Sequence, residues 1–365
     1  MKKLMAMLLC LTMLLSLPTL SLAEAQGNAS TAALPGSVDN NAGAPKVLNV
    51  LSWTGYVDDE ILSNFEEETG IKVIWSPMDS IDDMLLKVSQ NGGAAYDVIL
   101  SSDFSLDILR QQGLLQKLDL SKLSNYGNLD PKYLGQYYDP TNEYVIPYVA
   151  GCPLIIYDPA RVPFEITGYE DLWNPALQDS VATMDMSRIL SGITLKIMGK
   201  SINEIDPVIL AQAKEKLMPL YHNIRTFGDM EAYTAMSSGE TSVAFMYTPF
   251  VYMVKTDFPD YKVVYPKEGL GYGIDGFVIT ADAANADNAH AFLDYLMIPE
   301  VAAHNAEYQA YMCVNKAATD YLSSQFLENP VVNVPDDLLA QAEFITNIGK
   351  DEAQYTEIYT AFKLQ

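Results

Sequence analysis

The sequence predicts an α/β protein whose parallel β-sheets are covered by helices on both faces. Three observations support this fold class. Hydrophobic residues make up 49% of the 365 positions, enough for a large packed core. From Lys46 onward, short β-type and helical segments alternate, and a second series of the same kind follows a loop-rich interval. The length fits two domains or one large α/β unit.

The first 45 residues indicate an export signal and a leader rather than part of the fold. Residues 1–23 combine two early lysines, an apolar stretch and a small-residue motif that ends at Ala23, which is typical of a cleaved signal peptide. A second such motif ends at Ala25. Residues 24–45 are rich in Gly, Ala, Ser, Asn and Pro and predict a flexible leader. We therefore expect an exported protein, in the periplasm or outside the cell.

The first series of elements follows a β-α-β-α-β-α order. Glycines at positions 70 and 113 end two of the helices, because glycine readily adopts the left-handed backbone found after a helix. Ser80, with Asp83 three residues later, provides an N-cap for the helix between these two. The predicted segments are a strand at 47–52, a helix at 58–69, a strand at 71–75, a helix at 80–89, a strand at 96–100 and a helix at 106–112.

The second series begins after a loop. Tyr, Asp, Pro and Asn dominate residues 118–142, which predicts ordered turns. Residues 144–157 form a long β-type segment, and its prolines and glycine suit a crossing between two lobes. Beyond it we predict a strand at 180–184, helices at 187–198, 207–222 and 230–238, strands at 241–246, 261–265 and 276–280, and a mostly helical chain from 284 onward.

The charge composition argues against several classes of partner. Asp and Glu total 47 against 22 Lys and Arg, which gives a net charge of −25. A surface this acidic repels nucleic acids and anionic membranes, so we expect neither as a partner. The same charge attracts small cations, although it also serves simply to keep an exported protein soluble.

Cysteine and histidine usage supports neither a metal centre nor an enzyme. Two cysteines follow the leader, Cys152 and Cys313, and they lack the close spacing of a zinc site. An oxidising compartment leaves a disulfide between them open. The three histidines show no ligand spacing, and no phosphate-binding loop or nucleophile motif occurs. We therefore expect no metal, no cofactor and no catalysis.

Aromatic and polar side chains follow the ends of the predicted strands, where ligands bind in open α/β sheets. Aromatic faces and carboxylates together suit an ammonium group. Each residue also has a structural explanation, because aromatics pack in cores and an aspartate before a helix caps it. The residues at these strand ends are Trp53, Thr54 and Tyr56, then Ser102, Asp103 and Phe104, and later Asp185, Tyr247 and Asp275.

Several short motifs occur in the order in which a known family has them. LSWTGYV at 51–57, ETGIKVI at 68–74 and AYD at 95–97 lie in the first series of elements. NLDP at 128–131, IPY at 146–148, DLW at 171–173, LMP at 217–219 and YPKEG at 265–269 follow. From about Lys46 to the C-terminus, the sequence resembles the spermidine/putrescine-binding proteins of polyamine ABC transporters.

This resemblance implies a two-lobed, type II periplasmic-binding-protein-like fold, in which each lobe is a mainly parallel sheet flanked by helices. Lobe one would comprise residues 46–147 and 276–316, and lobe two residues 148–275 and 317–365. The lobes would close over a polyamine, and the protein would act as a monomer that delivers its ligand to an ABC permease in the membrane. Cys152 and Cys313 would lie near the hinge.

The resemblance also implies ligand-binding positions. Asp275 matches an aspartate that binds an ammonium group, and Trp53 and Tyr56 match aromatics that pack on the polyamine chain. The remaining matches are Thr54, the cleft serine Ser102, Phe104 and Tyr247 in place of a tyrosine and a tryptophan, and the late cleft tyrosine Tyr311.

Some family positions differ here. A diamine needs a carboxylate near each end, because an unpaired buried ammonium is costly. Asp275 would serve one end, and Asp103, Asp185 or a group that the motifs do not identify would serve the other. The differing positions are Gly273 in place of a tryptophan, Met186 and Ile189 in place of two carboxylates, and Ile345 in place of a glutamine.

Three alternatives stay open at this point. A protein of the same class could bind another small polar or singly charged solute. A secreted hydrolase could use Asp103 and Asp275 as acid and base. A scaffold or adhesin could keep the fold and a vestigial cleft.

Overall fold

The structure, a computed structural model, describes residues 46–78, 80–91 and 93–365. The predicted signal peptide and leader lie outside this part of the chain. Among the described residues, no helix has both the length and the apolar character needed to cross a bilayer.

The described residues form twelve strands and twelve α-helices, with short 3-10 helices between them. The strands are β1 Lys46–Ser52, β2 Ile71–Pro77, β3 Val98–Ser102, β4 Ile146–Gly151, β5 Leu154–Tyr157, β6 Val181–Thr183, β7 Ile224–Phe227, β8 Val243–Met246, β9 Lys262–Val264, β10 Gly271–Ile279, β11 Met312–Cys313 and β12 Glu343–Phe344. The helices are α1 Asp59–Thr69, α2 Ile81–Asn91, α3 Asp103–Gln111, α4 Ser187–Ile197, α5 Pro207–Leu217, α6 Asp229–Ser237, α7 Thr248–Asp257, α8 Ala286–Leu296, α9 Pro299–Gln309, α10 Ser324–Glu328, α11 Asp336–Leu339 and α12 Glu352–Lys363.

The first sheet has the strand order β11-β4-β10-β3-β1-β2, and β12 pairs with the outer part of β10. Strands β1, β2 and β3 are parallel, as the alternation of elements predicts. Strand β10 returns late in the chain and runs antiparallel to β3, with Asp275 opposite Ser102. The start of β10 therefore lies at the same edge of the sheet as the carboxyl ends of β1 and β3.

The second sheet has the order β7-β6-β8-β5-β9. Strands β7, β6 and β8 are parallel, and the register places Thr183 opposite both Phe227 and Phe245. Strands β5 and β9 add antiparallel pairs at the other side. The α/β fold with two sheets is confirmed, and both sheets also contain antiparallel strands that the alternation did not indicate.

Helix ends follow the local sequence in the first lobe. The carboxylate of Asp58 accepts a hydrogen bond from the amide of Glu60 and caps α1, and Gly70 ends α1 with a φ of 68°. Helix α3 begins at Asp103, three residues before the predicted start at 106. Ser102, Asp103 and Phe104 thus form the cap and first turn of α3 instead of a free loop.

The strand pairing places the lobe boundaries at other residues than the sequence predicted. Strand β4 lies entirely in the first sheet, so the predicted boundary after Pro147 divides a strand. Strand β10 also lies entirely in this sheet, so the boundary before Gly276 divides a second strand. Strand β12, predicted in lobe two, pairs with β10 as well. We place the crossings at residues 152–153 and 265–270, where the chain passes from one sheet to the other.

Both cysteines lie beside the first crossing and are free thiols. Cys152 follows β4, and its backbone exchanges two hydrogen bonds of 2.9 Å with the hydroxyl of Thr248 at the start of α7. Cys313 lies in β11, opposite Val149 of β4. The disulfide that the sequence left open is therefore not formed in this structure. Burial raises the pKa of both thiols, that of Cys313 to about 11.

Candidate ligand-binding site

Three segments of the first sheet bring the predicted site residues together. The loop after β1 carries Trp53 and Tyr56, the end of β3 leads into Asp103, and the middle of β10 carries Asp275, where the pairing of β10 with β3 begins. The antiparallel pairing of β10 with β3 creates this meeting point, because it places Asp275 opposite Ser102. Residues separated by more than 200 positions thus share one edge of the sheet.

The loop after β1 presents two aromatic rings in a fixed arrangement. The rings of Trp53 and Tyr56 lie 5.3 Å apart between centroids and are tilted by 48°. The indole N–H of Trp75 donates to the carbonyl of Trp53 at 3.0 Å. The hydroxyl of Tyr148 donates to the carbonyl of Tyr56 at 2.9 Å. These bonds hold the loop, so the rings form a preorganised wall.

Asp275 is the carboxylate beside this wall. The hydroxyl of Tyr56 donates a hydrogen bond to Oδ2 of Asp275. Burial raises the pKa of the Asp275 carboxyl to about 6, and the bond from Tyr56 limits the rise. No cationic side chain pairs with Asp275 among the described residues, so a ligand cation would supply the missing partner.

Groups of the protein itself donate hydrogen bonds to both carboxylate oxygens of Asp103. It is 4% exposed, and Oδ2 accepts the amide of Ile274 at 2.8 Å while Oδ1 accepts the hydroxyl of Tyr137 at 3.0 Å. Burial raises its pKa to about 7, the amide of Ile274 opposes this rise, and the charge of Asp275 adds to it. Asp103 therefore ties α3 to β10 at Ile274 and fixes the position of the next residue, Asp275.

The second lobe contributes Tyr247, which directly follows β8 and occupies the N-cap position of α7. Its hydroxyl donates to the sulfur of Met186 at 3.1 Å. Burial raises the pKa of Tyr247, and the charges of Asp229, Asp275 and Asp103 raise it further. The ring thus lies within electrostatic range of carboxylates from both lobes.

Tyr311 joins the same group from the segment before β11. Its pKa is raised by burial and then by the charges of Asp275 and, more weakly, Asp229, and its hydroxyl interacts with that of Tyr56. The ring lies so close to the backbone of β4 that a Cβ on Gly151 would come within 2.6 Å of Tyr311 Cε1. Glycine at position 151 therefore permits this approach.

Asp229 is the acidic group that sequence reasoning missed. It begins α6 directly after Gly228, whose φ of 109° favours glycine. Its Oδ1 is buried and has no hydrogen-bond partner among the described residues. Burial raises its pKa to about 6, the amide of Tyr247 hydrogen-bonds to the carboxylate and lowers it, and Glu231 raises it.

Asp185 has a different environment from the predicted one. It is exposed, and its oxygens lie 3.1 and 3.2 Å from the Nζ of Lys363. The hydroxyl of Tyr359 also donates to it. Burial raises the pKa of the Asp185 carboxyl, but the bonds from Tyr359 and Lys363 outweigh this and leave it below its usual value. The structure pairs Asp185 with α12 and does not leave it as an open counter-charge.

The remaining predicted residues lie on the same segments with weaker contacts. Thr54 is exposed in the loop between Trp53 and Tyr56. Ser102 has a buried hydroxyl oxygen without a partner among the described residues, directly opposite Asp275 in the sheet. Phe104 is partly buried in the first turn of α3. Ser102 is thus a further hydrogen-bonding group at the site.

A separate cluster contains the kinds of side chain that bind metals. Asp58, Glu60 and His304 offer ligand atoms within 4.8 Å of one another. Nε2 of His304 lies 2.7 Å from Oδ2 of Asp58. These residues are 246 positions apart in sequence, so spacing could not indicate the cluster. The observed contacts describe a hydrogen bond between His304 and Asp58 beside the cap of α1.

Comparison with known proteins gives a consistent result. Residues 60–333 match the family described as bacterial extracellular solute-binding protein. The chain is 32% identical over 317 residues to the spermidine/putrescine-binding periplasmic protein of Salmonella typhimurium, a match that covers 87% of this chain and 91% of that protein. It is 30% identical over 325 residues to the putrescine-binding periplasmic protein PotF of Escherichia coli, covering 84% and 88%.

Solved structures agree with these relatives. The spermidine/putrescine ABC transporter substrate-binding protein PotD from Streptococcus pneumoniae has a TM-score of 0.79 and 29% identity, covering 87% of this chain and 99% of that one. A putative spermidine/putrescine ABC transporter from Listeria monocytogenes has a TM-score of 0.79 and 31% identity, with the same coverage.

Proposed function

Because the chain belongs to the bacterial extracellular solute-binding proteins, we propose that it binds a polyamine between its lobes and delivers it to an ABC permease. The observation that carries this proposal is Asp275, a carboxylate that has no cationic partner in the part of the chain that the structure describes and that lies against the aromatic wall of Trp53 and Tyr56. An ammonium group is stabilised by a full negative charge and by π faces, and this site offers both.

The two carboxylates Asp275 and Asp229 suit the two ends of a diamine. Both charges raise the pKa values of Tyr247 and Tyr311, so both rings lie within range of each carboxylate. The methylene groups between two ammonium groups would then pack on the tyrosine rings. Asp229 is thus the group at the second end that the family motifs did not identify.

The bound polyamine would contact residues of both lobes, and these contacts explain how the protein captures it. Asp275 lies in the first sheet and Trp53 and Tyr56 follow its strand β1, whereas Asp229 and Tyr247 follow strands of the second sheet. A ligand that touches both sets favours the closed arrangement, because only that arrangement makes all the contacts. The permease would then receive the closed, loaded protein.

The periplasmic relatives support the same setting for this chain. We propose that residues 1–23 are a cleaved signal peptide and that the mature protein works as a monomer in the periplasm or outside the cell. The environment of Asp103 argues against the hydrolase, because both of its oxygens accept hydrogen bonds from the protein and the group is almost fully buried. A positioning role fits it better than acid or base catalysis.

A thermal-shift screen tests the proposal. Putrescine and spermidine should raise the melting temperature of the purified protein by several degrees, since a ligand at about 100 times its Kd stabilises the folded state by about 2.7 kcal/mol. Amino acids and sugars at the same concentration provide the controls. A shift with one of these and none with either polyamine would contradict the proposal and favour another small solute.

A second prediction concerns Asp229. Asp229→Asn preserves the shape and the acceptor for the amide of Tyr247 but removes the charge. We expect it to weaken putrescine binding by about 1–3 kcal/mol in titration calorimetry, with little change in stability. The control is Glu215→Gln, which removes an exposed charge from α5 of the same lobe and should change the affinity less than about twofold. Equal affinities for wild type and Asp229→Asn would remove Asp229 from the site.

A further inference from the structure

The ammonium group of Lys363 lies in a site made of the same kinds of groups as the ligand cleft. Its Nζ lies 3.1 and 3.2 Å from the two oxygens of Asp185. It also lies 3.6 Å from the centroid of the Phe227 ring and 5.7 Å from that of Tyr359. The hydroxyl of Tyr359 donates to the same carboxylate. We name Asp185, Phe227 and Tyr359 the ammonium box.

The ammonium box lies at one edge of the second sheet, and this edge also carries the second-lobe residues of the ligand site. Strand β6 lies between β7 and β8, and Thr183 is opposite Phe227 on one side and Phe245 on the other. Neighbouring strands are about 4.8 Å apart. Two positions after Thr183, Phe227 and Phe245 come Asp185, Asp229 and Tyr247, respectively. Asp185 therefore follows β6, whose neighbours β7 and β8 lead to the proposed ligand contacts Asp229 and Tyr247.

A direct contact connects the segment after β6 with the wall of the ligand site. The hydroxyl of Tyr247 donates to the sulfur of Met186, the residue next to Asp185. Phe227, which lies under the Lys363 ammonium, is separated from Asp229 only by Gly228. The ammonium box and the proposed diamine site are thus adjacent through two different chain segments.

From this placement we infer that the ammonium box is a third cation subsite, which Lys363 occupies, and that Lys363 thereby restricts the cleft to diamines. The inference rests on the proposed function, because it presupposes that the ligand is a polyamine. A diamine bound at Asp275 and Asp229 would leave Lys363 in place. The third ammonium of a triamine would meet the charge of Lys363, and such repulsion is an effective source of specificity.

Lys363 is not needed to hold α12 on the second lobe. Arg188 forms an ion pair of 2.7 Å with Glu352 at the start of α12, and its guanidinium lies 4.7 Å from the ring of Tyr355. The hydroxyl of Tyr355 donates to two backbone carbonyls. Phe362 is fully buried. A Lys363→Ala variant should therefore fold with α12 in place.

The test measures putrescine and spermidine affinities by titration calorimetry for the wild type, Lys363→Ala and Lys363→Ala with Asp185→Asn. We expect the wild type to bind putrescine at least about tenfold more tightly than spermidine. Lys363→Ala should strengthen spermidine binding about tenfold and change putrescine binding less than about twofold. The added Asp185→Asn should abolish this gain, because the gain depends on the vacated carboxylate.

A matched control removes another lysine that faces α12. Nζ of Lys214 in α5 lies 3.9 Å from Glu357 of α12 and contacts no aromatic ring among the described residues. Lys214→Ala should leave both affinities unchanged. If Lys363→Ala keeps the wild-type ratio, or if the wild type prefers spermidine, the inference is wrong and the proposed function stands. If the wild type binds neither polyamine, both are wrong.

Discussion

Asp275→Asn is expected to weaken polyamine binding by about 2–4 kcal/mol, a loss of roughly 30- to 1,000-fold in affinity. The substitution preserves the size of the side chain and an oxygen that can accept the hydrogen bond from Tyr56. It removes the negative charge that would pair with a ligand ammonium at a site with little access to water. The lost charge is therefore the main change, and the fold should be retained.

Titration calorimetry with putrescine measures this loss, and the melting temperature of the free variant checks its folding. Asp282→Asn is the matched control, because Asp282 lies just after the same strand and is exposed. Its affinity should stay within about twofold of the wild type. If Asp275→Asn folds and binds putrescine as tightly as the wild type, the ligand is not held as a cation at this position.

The part of the site on the first sheet could be predicted from sequence for a physical reason. Strands β1 and β3 each contain a buried apolar segment, and each is followed by a change to polar and aromatic residues. Parallel strands bring such ends to one edge, so Trp53, Tyr56 and Asp103 were predictable as neighbours. Asp275 required the resemblance as well, because it lies in the middle of an antiparallel strand that was predicted to begin only at residue 276.

Asp229 escaped prediction because the strand before it is short and poorly marked. Strand β7 has four residues, Ile224–Phe227, of which none is fully buried. Apolar and polar residues do not alternate there, and the preceding helix was predicted to extend to 222, whereas α5 ends at Leu217. The available signal was Asp229 directly before the helix predicted at 230–238, since an acidic residue is favoured at the start of a helix.

The partner of Asp185 could not be predicted because it lies 178 residues away. No local pattern indicates that α12 returns to the second lobe beside β6 and β7. Once it does, Lys363 supplies a cation to Asp185, one of the carboxylates that sequence analysis named as a candidate for the second end of a diamine. The differences at Met186 and Ile189 are consistent with this, because Met186 contacts Tyr247 and Ile189 is buried in the second lobe.

The last prediction is that polyamine affinity rises with pH between 5 and 8. Burial raises the pKa values of Asp275 and Asp229 to about 6, above the usual 3.8, so both are largely protonated at pH 5 in the free protein. A polyamine stays cationic over this range and binds the ionised carboxylates. Each must release its proton on binding, which costs about tenfold in affinity per group at pH 5. We expect putrescine to bind about 100-fold more weakly at pH 5 than at pH 8.

The free energy of unfolding of the ligand-free protein depends on pH in the opposite direction to the polyamine affinity. A carboxyl whose pKa is higher in the folded than in the unfolded state stabilises the fold below about pH 4, and this contribution is lost as pH rises through 6 to 7. Asp103, with a pKa of about 7, acts in the same direction. The ligand-free protein should therefore gain stability from these groups on mild acidification, while ligand-induced stabilisation declines.

Calorimetry in two buffers of different ionisation enthalpy measures the released protons directly. A Kd that is constant from pH 5 to 8, with no proton release, would mean that these carboxylates do not hold the ligand. The double variant Asp275→Asn with Asp229→Asn should lose most of the pH dependence, because the two titrating groups that contact the ligand are gone.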